Sequence, residues 1–353
     1  MQAAVNRFEA GMTNADLEET TRADLKAEAD VLQAVAETHA DRTENVENLV
    51  AEAMSRPDTL HPQVPGVAGN IAAFAAIYRF DFDTAHRLLD WASPYNEMVG
   101  PFSAVYGRCY GGIADRYRLD IPAALTNFRE AFEIAGGLGP HSHAVRLAGA
   151  LLGQLLYETG DLAEATRLLE DSYQFGSEGG GVDYLAARFV IGARIRALHG
   201  DRSAAIERLD AGMDAAQRLR LPRLAAAVNN ERIRLGIPIA PVAAARLRST
   251  RTIPHNDGIA TLTAELDENS AVRLLAASDS PDDQGQACRR AADLATGIDG
   301  RRRPLAALQA ELLLIETLTA TGRVAEARAG ALHVSARCAE VGLPRLLVDA
   351  GLS

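Results

Sequence analysis

The sequence predicts an all-α fold, a solenoid of about eight helical hairpins of about 40 residues each. Three observations lead there. One helix-start phrase is restated four times at near-constant spacing. Alanine and leucine supply most of the apolar mass while aromatic residues make up only 5%, a balance that favours close-packed helices over sheets. Val, Ile and Thr nowhere gather into the period-two runs that mark strands.

The four phrases are "YRFDFDTAHRLLDWA" (Tyr78 to Ala92), "YRLDIPAALTNFREAFEIA" (Tyr117 to Ala135), "YETGDLAEATRLLEDS" (Tyr157 to Ser172) and "LHGDRSAAIERLDAG" (Leu198 to Gly212). They align on Ala85, Ala124, Ala165 and Ala205, with gaps of 39, 41 and 40. Continued forward, the period lands on Ala245, Ala287 and Ala327; backward, it lands on Val46 and Val5. The match is good from 70 to 217 and again near 327, and weaker at 245 and 287, where Pro238, Pro241, Pro254 and Pro281 interrupt.

Within the good units the offsets agree. Twelve residues before the marker stands a small residue (Ala73, Gly112, Gly153, Ala193), and four after it a bulky apolar one (Leu89, Phe128, Leu169, Leu209). Seven after it the residue is small again (Ala92, Ala131, Ser172, Gly212). Offsets of four and seven share one helix face. Small residues let two helix backbones approach, and the bulky one fills the groove beside them. Each unit is therefore expected to be a hairpin, helix A then helix B. Asp81, Asp120, Asp161 and Asp201 sit where they can accept the free N–H groups of helix B's first turn, and Glu164 adds a capping-box-like partner.

One hairpin cannot bury its own apolar stripe, but a stack can. Residues 1–353 read as one such stack, with a joint expected at 236–258 between units 1–235 and 259–353, where "GIPIAPV" and "RTIPHNDG" fall. Gln2 to Met12 reads as helix B of an incomplete unit, and both ends are expected to be cut. "GSEGGGVD" (Gly176 to Asp183) reads as a flexible inter-unit loop.

Net charge is −11, which speaks against the basic surface that phosphate backbones require, so no direct nucleic-acid contact is expected. The densest basic spot, Arg301-Arg302-Arg303, reads as a solvated loop before a helix. Cys109, Cys288 and Cys338 are scattered and read as reduced thiols. No secretory leader and no apolar run long enough to span a bilayer is present in the sequence, so a cytoplasmic protein is expected.

The small–Ala–bulky–small pattern resembles the tetratricopeptide repeat, stretched from a period of about 34 to about 40. That resemblance implies a right-handed superhelix. With "Y-x-x-G-D-L-x-E-A-x-x-L-L" it is similar to the MalT-like helical-repeat region of large LuxR-type signal-transduction ATPases. "RRRPLAALQAELLLIETLTATGRVAEARA" (Arg301 to Ala329) and "CAEVGLPRLLVDAG" (Cys338 to Gly351) resemble the closing units of that region. A region of this kind also forms the C-terminal part of an actinobacterial serine/threonine protein kinase, which the chain resembles most. LuxR-type relatives place a helix-turn-helix DNA reader after the repeats, and with none after Ser353 a kinase-type parent is expected. The resemblance implies repeats that sense an effector or a partner and restrain an output domain.

Chemistry is sparse. The only lysine, Lys26, lies in "ADLKAEAD" without the glycines of a phosphate-binding loop, and the H-R-D and D-F-G signatures of a kinase are missing. His141 and His143 in "GPHSHAV" read as structural rather than as metal ligands, and "GGLG" (Gly136 to Gly139) as a helix end rather than a phosphate cradle. No catalytic residue, cofactor or metal is expected. What remains is the concave face, which the A helices of such solenoids line. Tyr106, Arg108, Tyr110, Arg146, Gln154, Arg188, Arg194, Asn229, Asn230 and Arg232 are the candidate contacts there, since arginine and tyrosine suit carboxylate and peptide recognition. The expected function is a non-catalytic regulatory module of a larger signalling protein. It would bind an effector or a protein segment, from its own upstream region or a separate regulator. The alternative is a free-standing adaptor or chaperone that holds a partner, and an enzyme with an unfamiliar all-α site ranks behind both.

Overall fold

The computed structural model describes residues 18–175, 180–249 and 258–352, with Arg7 and Gly11 besides, and these residues are helical with no strand among them. Eight helix pairs follow one another among them, and all but the sixth pack as hairpins. They are α1 (Glu19–His39) with α2 (Val46–Ser55), α3 (Gln63–Tyr78) with α4 (Phe82–Val99), and α5 (Pro101–Arg118) with α6 (Ile121–Gly136). Next come α7 (His143–Thr159) with α8 (Leu162–Phe175), and α9 with α10 (Arg202–Leu219). Helix α9 runs through Val182–Ala186, a π turn at Ala187–Ile191, and Gly192–Leu198. Then α11 (Pro222–Arg234) is followed by α12 (Pro241–Ser249), α13 (Gly258–Ala276) by α14 (Pro281–Gly297), and α15 (Pro304–Ala320) by α16 (Val324–Val341), with a trailing α17 (Pro344–Asp349). The helix expected at Gln2 to Met12, the loop residues 176–179 and most of "RTIPHNDG" lie outside the described residues.

The repeat offsets act as the sequence suggests. Ala85, Ala124, Ala165 and Ala205 are fully buried. A methyl group added to Gly112 would meet the Phe128 ring at 2.5 Å, and one on Gly153 would meet Leu169 Cγ at 2.9 Å. The small residue of each A helix is thus the seat of the bulky residue on its B helix. All four aspartates cap: Asp81 accepts from the Thr84 N–H at 3.1 Å, Asp120 from Ala123 at 3.2 Å, Asp161 from Glu164 at 3.3 Å and Asp201 from Ala204 at 3.0 Å. Just before each cap the chain turns through the left-handed region, at Phe80, Leu119, Gly160 and Gly200, and again at Gly322. The π turn of α9 has a local cause: the buried Arg208 of α10 donates Nε to Arg188 O inside it at 2.9 Å.

The period survives backward to Val46 and forward to Ala287 and Ala327, which are also buried. It fails at 245. Ala245 is exposed, and Leu247 is the buried residue of the short α12. Helix α11 packs directly on α13.

The stack curls back on itself. Helix α15 packs on α5, and α17 on α7. Arg302 Nη2 donates to Arg79 O at 2.6 Å. The first residue of α13, Gly258, abuts the end of α3 so closely that a Cβ would lie 1.2 Å from Tyr78 O. Early and late A helices therefore face one another across a common axis.

Gly112→Ala is expected to lower stability by about 1–3 kcal/mol through overpacking against Phe128. Gly136→Ala, where an added methyl meets nothing within 4 Å, is expected to be neutral or mildly stabilising. Urea unfolding of the two variants against the unaltered chain checks this, and equal destabilisation would contradict the seat-and-bulk account.

Candidate functional site: an axial cavity

The tyrosines that open three of the repeat phrases end their A helices on the inner face. Tyr78 donates its hydroxyl to Asp183 Oδ2, Tyr117 donates to Asp183 Oδ1 at 3.4 Å, and Tyr157 donates to Asp349 Oδ1 at 2.7 Å. Around them lie two charge networks. In the first, Arg223 at the start of α11 donates to both oxygens of Asp41, at 2.6 and 2.8 Å, and to Asp183 Oδ2 at 3.2 Å, with its guanidinium over the Tyr78 ring. In the second, Arg194 of α9 pairs with Glu231 at 2.7 Å and with Asp349 of α17 at 2.9 Å, and Arg234 and Arg345 complete it.

Burial and charge compete at these groups. Burial pushes the Glu231 carboxyl up, but Arg194 and Arg234 outweigh it and bring it down to about 2. Burial likewise opposes ionisation of Asp183, yet the charge of Arg223 and the Tyr78 hydroxyl hold it below the ordinary aspartate range. Burial pushes the Tyr117 hydroxyl up to about 12, so it remains a donor.

Between the early and late A helices the axis holds a cavity of about 200 Å³. Phe80, Phe82, Tyr117, Leu262, Leu266, Leu294 and Leu305 form its apolar wall. Arg116, Gln154, Asp183, Arg223, Glu265, Asn269, Arg303 and Gln309 bring polar groups to it. Each guanidinium there is paired. Arg116 binds Glu158 at 2.7 and 2.5 Å, and Arg303 binds both oxygens of Glu265 at 2.6 Å while lying over the Phe80 ring at 4.1 Å. Among the described residues no group of three or more His, Cys, Asp or Glu side chains is placed to hold a metal ion.

No family model matches the chain. Across 350 residues, 99% of its length, it is 63% identical to "Serine/threonine-protein kinase PknK" of Mycobacterium tuberculosis, and equally to that of Mycobacterium bovis. The chain matches a region of PknK. It spans 31% of the length of those kinases.

In this PknK-like region the ten candidate contacts do not share one face. Gln154 lines the axial cavity, donating to Glu158 Oε1 at 3.3 Å. Arg194 also reaches the axis, where Asp349 and Glu231 take up its donors. Asn230 accepts from Arg273 Nη1 at 2.7 Å, and Asn229 beside it is half-buried. Tyr106 lies within 3.3 Å of His143 Nε2, and Tyr110 is buried edge-on against Phe74. Four arginines turn instead toward the B helices. Arg108 pairs with Glu130 of α6, Arg146 donates to Asp171 O of α8 at 2.8 Å, Arg188 donates to Tyr173 O of α8 at 3.0 Å, and Arg232 pairs with Asp210 of α10. Their long side chains reach carbonyls and carboxylates of the B helices.

The run Arg301-Arg302-Arg303 forms a turn before α15, with Arg301 and Arg302 exposed as expected; Arg302 also reaches Arg79 O, and Arg303 departs from the expectation by pairing with Glu265 and lining the cavity. Sequence reasoning also passed over Arg116, Tyr117, Asp183, Arg223, Glu265, Asn269 and Gln309. The recurring tyrosine, seven or eight residues before the marker alanine, was the available signal for the axis. His141 and His143 are held by Arg146 and Tyr106, and the three cysteines are free and buried. None of the described helices is long and apolar enough to cross a membrane.

Glu231 and Asp183 titrate lower in the folded chain than when unfolded, so the unfolded state binds more protons in acid. Their stabilisation is complete above their ordinary values and is lost as pH falls, for Glu231 from about 4.5 toward about 2. Denaturant unfolding between about pH 7 and about pH 3 is expected to show this decline, and Glu231→Gln to make it shallower. Arg223→Met leaves Asp41 and Asp183 buried without their cation and is expected to cost about 3–5 kcal/mol at neutral pH. An unchanged unfolding midpoint would show the pair to be dispensable.

Proposed function

We propose that the chain is a non-catalytic regulatory and sensor region of a PknK-type serine/threonine kinase, built of MalT-like helical repeats and working in the cytoplasm. It binds an effector in the axial cavity, or a protein segment along the inner face, and through that contact sets the activity of the parent. The observation that carries this reading is the match to PknK along nearly the whole chain, combined with its 31% share of those kinases. The missing phosphate-binding loop and kinase signatures support a role outside the chemistry.

The architecture supports the same reading. A solenoid exposes an extended inner surface, and here that surface closes on a cavity whose walls come from both early and late units. A ligand there touches helices far apart in sequence and so can favour one superhelical arrangement over another. Differential affinity for two arrangements is what any such switch requires.

The test uses the full-length parent kinase. Removal of the segment equivalent to residues 63–234 is expected to change basal autophosphorylation and to abolish its response to the stimulus. Identical basal activity and an identical response with and without the segment would overturn the regulatory reading.

A further inference from the structure

We propose that the axial cavity is a binding site for a small, flat, uncharged molecule with an apolar body and one hydrogen-bond donor directed at Asn269. The proposal deepens the effector reading above, but whether the molecule binds does not depend on what binding does to a kinase.

Size sets the first limit. An apolar cavity of about 150 Å³ takes a benzene ring, so about 200 Å³ suits a fused bicycle of about ten non-hydrogen atoms.

Charge sets the second. Arg116, Arg223 and Arg303 are engaged by Glu158, by Asp41 with Asp183, and by Glu265. An anion in the cavity gains only by splitting one of these pairs, which leaves a buried charge without its counterpart, and a cation only by displacing the Arg223, Tyr78 and Tyr117 donors that already meet Asp183. A neutral molecule leaves all of them intact.

The third observation is an acceptor without a donor. Asn269 lines the cavity, and its Oδ1 is buried with no hydrogen-bond partner. A buried acceptor left unpaired is unfavourable, and a donor on the ligand relieves it. Two rings of the wall, Phe82 and Tyr117, lie 6.2 Å apart and 20° from parallel.

The fourth is strain. Phe80 holds a left-handed backbone, φ 59°, as Leu119 does at φ 64°, where the equivalent turns at 160, 200 and 322 use glycine. A bulky residue in that conformation points to a need for its side chain, and the Phe80 ring lines the cavity beneath Arg303.

Calorimetric titration of this chain with two probes tests the proposal. Indole is flat, neutral and carries one N–H; benzothiophene has the same outline with sulfur in its place. Indole is expected to bind, and benzothiophene to bind roughly tenfold more weakly. On Asn269→Leu the difference should vanish, and on Ala306→Phe, which fills the cavity, both should be lost. Benzoate and benzamidinium should not bind. Circular dichroism melts check that the variants fold, and the two-probe comparison on the unaltered chain decides even if they do not. Equal affinity for indole and benzothiophene overturns the proposal, as does binding of the charged probes as tightly as indole. So does a lack of indole binding, which marks a cavity that holds water only, or indole binding untouched in a folded Ala306→Phe variant. Indole binding with no effect on the parent kinase leaves this inference standing and counts against the regulatory role.

Discussion

Close approach of helix A to helix B within each hairpin is the constraint on which the rest depends. Gly112 and Gly153 have no Cβ because Phe128 and Leu169 occupy the space. That contact fixes the separation of the pair, and the aspartate cap fixes where helix B starts. Repeated at near-constant spacing, the same geometry turns each unit by the same increment, and the accumulated rotation brings α15 onto α5 and α17 onto α7. The axial cavity is therefore a consequence of hairpin spacing, since no single unit contains it.

Two kinds of force hold the molecule. Within the stack one apolar core runs from Ala73 through Leu224 and on to Leu305 and Leu343, with separate clusters in the first and last units. Between the early and late turns ion pairs add to it: Arg223 to Asp41 and Arg194 to Asp349. Apolar contact is tolerant of small slips, whereas a bidentate guanidinium–carboxylate pair is satisfied in one arrangement. Buried pairs add little net stability against apolar replacements, and a role in fixing register fits them better. These pairs also leave the cavity no unpaired guanidinium, which selects against anionic ligands.

The hairpins were legible because they are local. Ala85 to Ala205, the four capping aspartates and the glycine seats all act within one unit, and a period reads them directly. The axis was not, because its contacts join residues as distant as Asp41 and Arg223, and nothing in a repeat of about 40 residues says which units meet after a full turn. The candidate contacts show the same limit. Choosing helix A as the inner helix was not enough, since an A helix has one side on the axis and another against the B helices. Arg146 and Arg188 lie on the second side, while Gln154 lies on the first. Ala245 failed for a different reason: in α12 the buried residue is Leu247, so a residue in register by count is out of register in space.

Phe80 joins these levels. Its position in the chain is the turn between helix A and helix B, where left-handed backbone is needed and glycine is the residue of least strain. Keeping phenylalanine there costs on the order of 1 kcal/mol. The ring stacks beneath Arg303, and Arg303 in turn pairs with Glu265 of α13. One side chain at an early turn is thus part of the seam to the late units and part of the cavity wall at once. A molecule seated against that ring touches the seam directly, so its binding energy is coupled to the closure of the superhelix without any longer path through the protein.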